Sequence, residues 1–365
     1  MKITQVLTTK LSVPLDRPMW FATRKVLARE FTACEVVTDQ DIRGLGVVPI
    51  GDPYSVAAII ERKLKQHLIG EEVFAYERLW HKMYREMYRD RTGAALRAIS
   101  AVDVAVWDAI GKALEKPVYK LLGGHKDEVP AYTSIGYYRE GKGSEQLAEE
   151  VSLYAKKGYK GVKIRVGGTS LKEDIERLGV AREAAGPDLI LMADANNAYT
   201  PYEAIKAGRE FEKFNIAWFE EPVMPDDIAG SRKVADALDV PIASGELVYT
   251  RYGFRDLFAN QAIDIAQPDC TVVGGVTEFT KVVGMAAAQS IPIAPHWNQE
   301  IHMHMVGAFA NAFIVEFFEK DADLRKEELL YDTYITPCNG IIKLPNTPGF
   351  GRELSEEAVE KYRMD

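Results

Sequence analysis

Cysteine is nearly missing from this chain: three residues in 365, Cys34, Cys270 and Cys338, lie far apart without a Cys-x-x-Cys pair. They offer no disulfide scaffold and are expected to be buried thiols in a reducing compartment. Long apolar runs are missing too. None approaches the ~18 residues of a membrane span. Residues 1–10 are too polar for a signal peptide, so a cytoplasmic protein without a membrane partner is expected. Excess positive charge is the third absence. The net charge is −9 and no basic stripe is visible, which argues against a nucleic-acid partner. The overall field does not attract an anion, so any anionic ligand must be held by a local cation or metal ion. Low-complexity linkers are also absent.

What is present is ordinary globular material, 47% hydrophobic and 27% charged. That composition supports a large core. The length suits a barrel of ~250 residues with a smaller companion. Residues 1–60 alternate apolar and polar positions. Ile3, Val6 and Leu7 open one strand, 33–37 form a second and 44–48 a third, which predicts an antiparallel sheet. Residues 55–69 and 94–114 read as helices, the second with Ala98, Val102, Ala105, Val106 and Ala109 at helical spacing. It should stop near Lys116, because the residue before Pro117 avoids the helical region. Strands followed by helices make an α+β unit.

From about residue 130 the rhythm changes. Apolar strands at 131–135, 161–165, 189–193, 216–219, 241–244, 263–266, 291–294 and 313–317 alternate with helix-length segments. Eight such units predict an α/β fold, a (β/α)8 TIM-type barrel. The strands are continuous apolar runs, as expected when both faces are buried. The tail from about Tyr331 is rich in Pro and Gly, ends in a short helix and is expected to pack back on the N-terminal unit. The expected division is 1–125, 126–330 and 331–365.

Barrel active sites lie where strands end. Strand three ends in Asp194, strand four in Glu220 and strand five in Glu246. Neighbouring strands lie about 4.8 Å apart, so these tips can converge on one cation. Three carboxylates without His or Cys suit Mg²⁺ rather than Zn²⁺. Strand two ends in Lys163-Ile164-Arg165, and residues i and i+2 share a face, so both cations point inward. Strand six ends in Asp269 and strand seven in His296. A carboxylate on one imidazole nitrogen fixes the tautomer and raises basicity at the other. Strand eight carries Glu316, a hydrogen-bond donor to substrate if protonated or a salt-bridge partner. Metal and cations together suit the enediolate formed when a proton leaves the carbon beside a carboxylate. His302 and His304 are expected to be structural.

In chain order, residues 100–108 (SAVDVAVWD), Lys163-x-Arg165, Asp194-Ala195-Asn196, Trp218-Phe219-Glu220-Glu221-Pro222, Gly245-Glu246, Gln267-Pro268-Asp269, Gly274-Gly275-Val276-Thr277 and His296 resemble the enolase superfamily, in its mandelate racemase subgroup. The resemblance covers essentially the whole chain. It implies that Asp194, Glu220 and Glu246 ligate Mg²⁺ and that His296 with Asp269 forms the acid/base dyad. It places Lys163 near the substrate carboxylate, Asn196 in contact with substrate and Glu316 on a carboxylate oxygen. The N-terminal α+β unit resembles the family's capping domain, completed by the tail, whose loops set specificity. Here those loops are about 17–24 and 48–54, with Trp20, Phe21, Arg24 and Tyr54 as candidates. Homo-oligomers are usual for the family.

The chain departs from the pattern twice. Arg165 stands where the family's second lysine is the usual base, and guanidinium is a poor base but a good oxyanion clamp. Gly44-Leu45-Gly46-Val47 lacks the glutamate that often ends Gly-x-Gly-Glu, which puts cap-loop contacts in question. With one clear acid/base group, the expected reaction is dehydration of a sugar acid to a 2-keto-3-deoxy acid. A racemase, epimerase or cycloisomerase is the alternative, and a non-catalytic binding protein the remote one.

Overall fold

Three antiparallel strands open the chain: β1 (Ile3–Phe21), β2 (Arg24–Thr38) and β3 (Arg43–Pro49). They belong to a computed structural model describing every residue except Thr23 and Ile50, one in each expected cap loop. The sheet buries both faces. One lies against α3 (Ala94–Ala113), and the Gly-x-Gly of β3 explains how closely. A Cβ on Gly44 would sit 2.0 Å from the Ala105 carbonyl oxygen, and one on Gly46 2.0 Å from that of Ala101. On the other face Leu45 and Val47 pack with Leu11, Val13, Phe31 and Ala33 against Leu330, Tyr331 and Ala358 of the tail. Val47, where the family's glutamate would stand, is therefore a core residue.

The helical reading of 55–69 is borne out over 53–67, though not as one regular α-helix. α1 (Pro53–Ile59), capped by the Asp52 carboxylate, passes into a π-turn over Ile60–Leu64 and a 3-10 turn over Lys65–His67. A further helix, α2 (Tyr76–Glu86), was not expected. Tyr76, Leu79, Trp80 and Met83 have helical spacing, but Ala75 supplies no capping side chain to mark the start.

After the short α4 (Val118–Leu121), parallel strands β4 (Glu128–Ile135), β5 (Gly161–Arg165), β6 (Ile190–Asp194), β7 (Phe219–Glu220), β8 (Ile242–Ser244), β9 (Ile265–Ala266) and β10 (Val315–Phe317) form the barrel wall. The strand expected at 291–294 is reduced to Ile293, which bridges Ala266 on one side and Ala312 on the other. Pro292 and Pro295 flank it, and without N–H groups they cannot extend the ladder. The single residue still closes the ring. Helices α5 (Ser144–Lys156), α6 (Leu171–Ala185), α7 (Pro201–Phe211), α8 (Ile228–Ala237), α9 (Thr250–Ala259), α10 (Val276–Ala288) and α11 (Gln299–Ala308) wrap it. Ser170 and Thr200 cap α6 and α7 through capping boxes with Glu173 and Glu203. The barrel interior below the strand tips is filled by Tyr132, Met192, Trp218, Ala243, Ile265, Ala294 and Ile314. The fold is thus a (β/α)8 TIM-type barrel with an N-terminal α+β cap, as the sequence implied.

In the tail, β11 (Ile341–Lys343) pairs antiparallel with β4, and α12 (Glu356–Tyr362) lies against β1. Cys34 and Cys270 are buried, but Cys338 is exposed, contrary to expectation. It sits at the mouth of the turn that Asn339 and Gly340 make before β11, away from any core. Among the described residues no helix is long and apolar enough to cross a membrane.

Candidate active site

Strand register sets the site. Arg165 pairs with Asp194, and Asp194 with Glu220, so three charged residues share one level of the barrel. Glu246 follows two residues past β8. Just beyond these tips the backbone turns sharply: Asn196, Asn197, Glu221 and Trp297 have φ of 42°, 64°, 41° and 63°. Left-handed non-glycine residues cost about 1–3 kcal/mol each and persist where their surroundings over-determine them, often at functional sites.

One oxygen from each of Asp194, Glu220 and Glu246 lies within 4.8 Å of the other two, and all three residues are buried. Trp218 Nε1 (2.9 Å) and Gln267 Nε2 (2.7 Å) donate to Glu220 Oε2. Burial pushes Glu220 up to about 8; Lys163 opposes this, while Asp194, Glu316 and Glu246 add to it. Burial also raises Glu246, against the pull of His296. Glu221 is held well above the usual carboxylate range by burial and then by Glu246 and Asp194. The Oε2 atom of Glu246 is buried without a hydrogen-bond partner. Asp194, Glu220, Glu246 and Glu316 outnumber Lys163 and Arg165 by two charges when all are ionised. A hard divalent cation fits both the oxygen donors and the missing charge.

Lys163 is wholly buried. Its ammonium contacts Glu220, Glu316 (2.9 Å) and Asp194 (3.4 Å). Burial alone would lower its pKa, but Glu220 and Glu316 hold it well above the ordinary value. Arg165 pairs with Asp194 and donates to Asn196 Oδ1 (3.0 Å), Ser134 Oγ (2.9 Å) and Tyr137 Oη (2.5 Å). It too is raised well above its ordinary value: burial pulls down, and Asp194 leads the groups that pull up. Across the barrel, His296 Nδ1 lies 3.0 Å from Asp269 Oδ2, and Nε2 lies 3.5 Å from Glu246 Oε2. Burial disfavours the imidazolium, yet Glu246 and the Asp269 hydrogen bond raise His296 to about 9. The Thr271 N–H and hydroxyl, both at 2.7 Å, anchor Asp269 Oδ1.

Glu316 is drawn down to about 2: burial opposes ionisation, but Lys163, then His296, overcome it. Its Oε2 accepts from the Trp297 N–H at 2.8 Å. In this structure it is the salt-bridge partner of Lys163 and an acceptor for the Trp297 N–H. His302 and His304 are fully buried acceptors, of the Cys270 N–H (3.0 Å) and the Tyr119 N–H (3.3 Å).

Among the cap candidates, Trp20 reaches the barrel mouth. Its N–H donates to Tyr138 O (2.8 Å) and its carbonyl accepts from Tyr138 N (3.0 Å). Phe21 meets the Tyr137 ring edge-on with centroids 6.4 Å apart. Arg24 is exposed beside them in the hairpin. Tyr54 is exposed and lies under the Lys10 ammonium, so the structure does not bring it to the acidic cluster. Ser134 and Tyr137 were not anticipated. The register of Ser134 with Lys163 was a usable signal for the first; Tyr137 lies in a loop past β4 and had none.

Fold and site define a capped α/β-barrel enzyme with a carboxylate cation site at its strand ends. Residues 3–123 match the family profile of the mandelate racemase / muconate lactonizing enzyme N-terminal domain, and 146–358 match the enolase C-terminal domain-like profile. The chain belongs to this mandelate racemase/muconate lactonizing enzyme family of the enolase superfamily. It is 38% identical to an arabinonate dehydratase of Saccharolobus solfataricus over 92% of this chain and 91% of the relative. It is 31% identical to a D-galactarolactone cycloisomerase of Agrobacterium fabrum, covering 100% and 99%. A magnesium-bound racemase from Streptomyces coelicolor superposes with a TM-score of 0.93 at 27% identity, covering 99% of this chain and 100% of that one.

Proposed function

We propose that this chain is an Mg²⁺-dependent hydro-lyase that removes the proton beside the carboxylate of a sugar acid and expels the β-hydroxyl, giving a 2-keto-3-deoxy acid. One observation carries the reading: three buried carboxylates converge within 4.8 Å, with the His296 imidazole 3.5 Å from one of them and anchored by Asp269. The likeness to the arabinonate dehydratase supports it. Held by Asp194, Glu220 and Glu246, Mg²⁺ supplies positive charge against the negative charge that builds on the substrate carboxylate. Asp269 fixes His296 Nδ1, leaving Nε2 to exchange a proton with the substrate or its leaving group. Lys163 and Arg165 place fixed positive charge on the opposite wall, and Asn196 and Trp20 border the substrate. A homo-oligomer in the cytoplasm belongs to the same proposal, with light scattering as its check on assembly.

The test is a screen of mono- and diacid sugars with Mg²⁺, read by 2-keto acid formation. Product from any acid establishes the class, and a blank screen removes dehydration. The full-length likeness to a cycloisomerase favours a second reading with the same first step. It would show as deuterium entering recovered acid in D₂O without loss of water.

A further inference from the structure

We propose that Arg29 recognises a second carboxylate at the far end of the substrate, so that the acid this site takes is a diacid. The inference rests on the reading of the chain as a sugar-acid hydro-lyase and adds the substrate class to it. In that reading the reacting carboxylate lies at the cation site. Arg29 stands apart from it, on β2 of the cap, where it pairs in register with Val13. Phe31 and Ala33, two and four positions on, share its face of the sheet and pack on the tail. Arg29 carries that face toward the barrel, into the cluster where Leu15 and Met19 of β1 meet Tyr137, Trp297, Phe318 and Leu324.

Arg29 is only 8% exposed, and its surroundings leave its charge unanswered. Nε donates to the Leu324 carbonyl at 2.8 Å. Among the described residues, Nη1 and Nη2 have no hydrogen-bond partner, and neither is sealed from water. The acids nearby are engaged elsewhere, Asp323 with Lys326 at 2.7 Å and Glu328 with Arg325 at 3.5 Å. Burial pulls the guanidinium down to about 10; Tyr137 and Glu328 oppose this, and Arg165 adds to it. It is a cation at neutral pH all the same. A buried cation without a partner is unfavourable, and an anion arriving with the ligand relieves it.

The second observation is Trp297. Its ring lies 4.7 Å from Arg29 Cζ and 5.8 Å from the His296 ring, measured to centroids. Its indole N–H is buried with no acceptor among the described residues, while its main-chain N–H is fixed on Glu316 Oε2 at 2.8 Å. Nη1 and Nη2 of Arg29 and Nε1 of Trp297 are thus donors without acceptors, one ring away from the group that exchanges the α-proton. Neutral donors alone would suit a hydroxyl. A guanidinium fork suits a carboxylate, which accepts two parallel hydrogen bonds from it. The cation site then holds one end of the acid and Arg29 the other.

The experiment measures kcat and KM with Mg²⁺ for matched pairs of acids: an aldaric acid, and the aldonic acid that has a hydroxymethyl group in place of its far carboxylate. Wild type, Arg29→Met and Arg29→Lys are compared. Expected is a wild type that favours the diacid. In Arg29→Met the ratio of kcat/KM for diacid over monoacid should fall by about 10–100-fold, mainly through KM. Arg29→Lys should restore part of that ratio, because the charge returns without the fork. A wild type that favours the monoacid, or a ratio unmoved in Arg29→Met, overturns the proposal. If wild type turns over neither acid, the parent reading falls instead, and binding decides this one. With Mg²⁺ present, the diacid must then raise the thermal midpoint of wild type more than the monoacid does, and equal shifts overturn it. The same comparison serves should Arg29→Met fold poorly.

Discussion

Arg352, in the tail, donates from Nη1 to Asn298 Oδ1 at 3.3 Å, two residues past His296. The same nitrogen reaches Tyr331 Oη (2.7 Å) and Glu327 Oε1 (3.4 Å), and Asn298 Nδ2 donates back to Glu327 (3.3 Å). Arg325 adds a two-pronged pair with Glu300 (2.5 and 2.6 Å). The loop that presents the imidazole is therefore bolted to the end of the chain by a buried ionic network. Arg352→Met leaves Glu327 short of a partner. Breaking a buried pair costs about 3–5 kcal/mol, so the thermal midpoint should fall by several degrees. A variant as stable as wild type would show that the network does not hold the tail.

His296→Asn keeps the size and polarity of the side chain but removes the proton carrier. Turnover should fall by roughly 10²–10⁴-fold or more, while the thermal shift with Mg²⁺ persists, since the three acids are untouched. Full activity would end the assignment of His296.

The cation site predicts that millimolar Mg²⁺ stabilises the fold. A ligand at a hundredfold excess over its Kd adds about 2.7 kcal/mol. Glu246→Gln removes one charged donor and should abolish most of that shift. The same shift in wild type and variant would move the metal elsewhere.

Burial depresses His304 to about 3, with Arg352 adding to the effect against a backbone contact to Phe350. Its folded pKa is below its unfolded value near ~6.5, so the unfolded chain binds the proton more readily. Stability on this account is complete above that unfolded value and is lost as pH falls toward 3. The loss between pH 7 and 5 is roughly 2 kcal/mol. His304→Gln can still accept from the Tyr119 N–H, and its denaturation midpoint should depend less on pH over that window. Identical slopes would contradict the burial argument.

Gly46→Val would drive a side chain into the Ala101 carbonyl, 2.0 Å from the ideal Cβ. Overpacking of this kind costs about 1–3 kcal/mol or more. The cap should loosen first, read as earlier proteolysis of residues 1–60 while the barrel resists. Uniform resistance would show that α3 yields instead.

The sequence carried the parts of this fold that repeat. Asp194, Glu220 and Glu246 were legible because each ends an apolar run and barrel chemistry sits at strand ends. Lys163 and Arg165 followed from two-residue periodicity. What was not legible depends on contacts distant in the chain. Tyr137 acquires its significance only from Arg165, and nothing local marks it. The strand expected at 291–294 shrank because two prolines cannot feed a ladder. Glu316 owes its salt bridge to Lys163, 2.9 Å away but 153 positions earlier in the chain. Tyr54 looked like a specificity residue by its position in the cap, but Lys10 holds it elsewhere.

The two hydrogen bonds between Trp20 and Tyr138 use main-chain atoms only. A clasp made this way does not depend on which side chains its two residues carry. The side chain at position 20 can therefore be exchanged without removing either bond, and the contact that joins cap to barrel is separable from the choice of what the site accepts. For anyone retargeting this barrel, the side chain of Trp20 is open to substitution and its peptide groups are the part to leave alone.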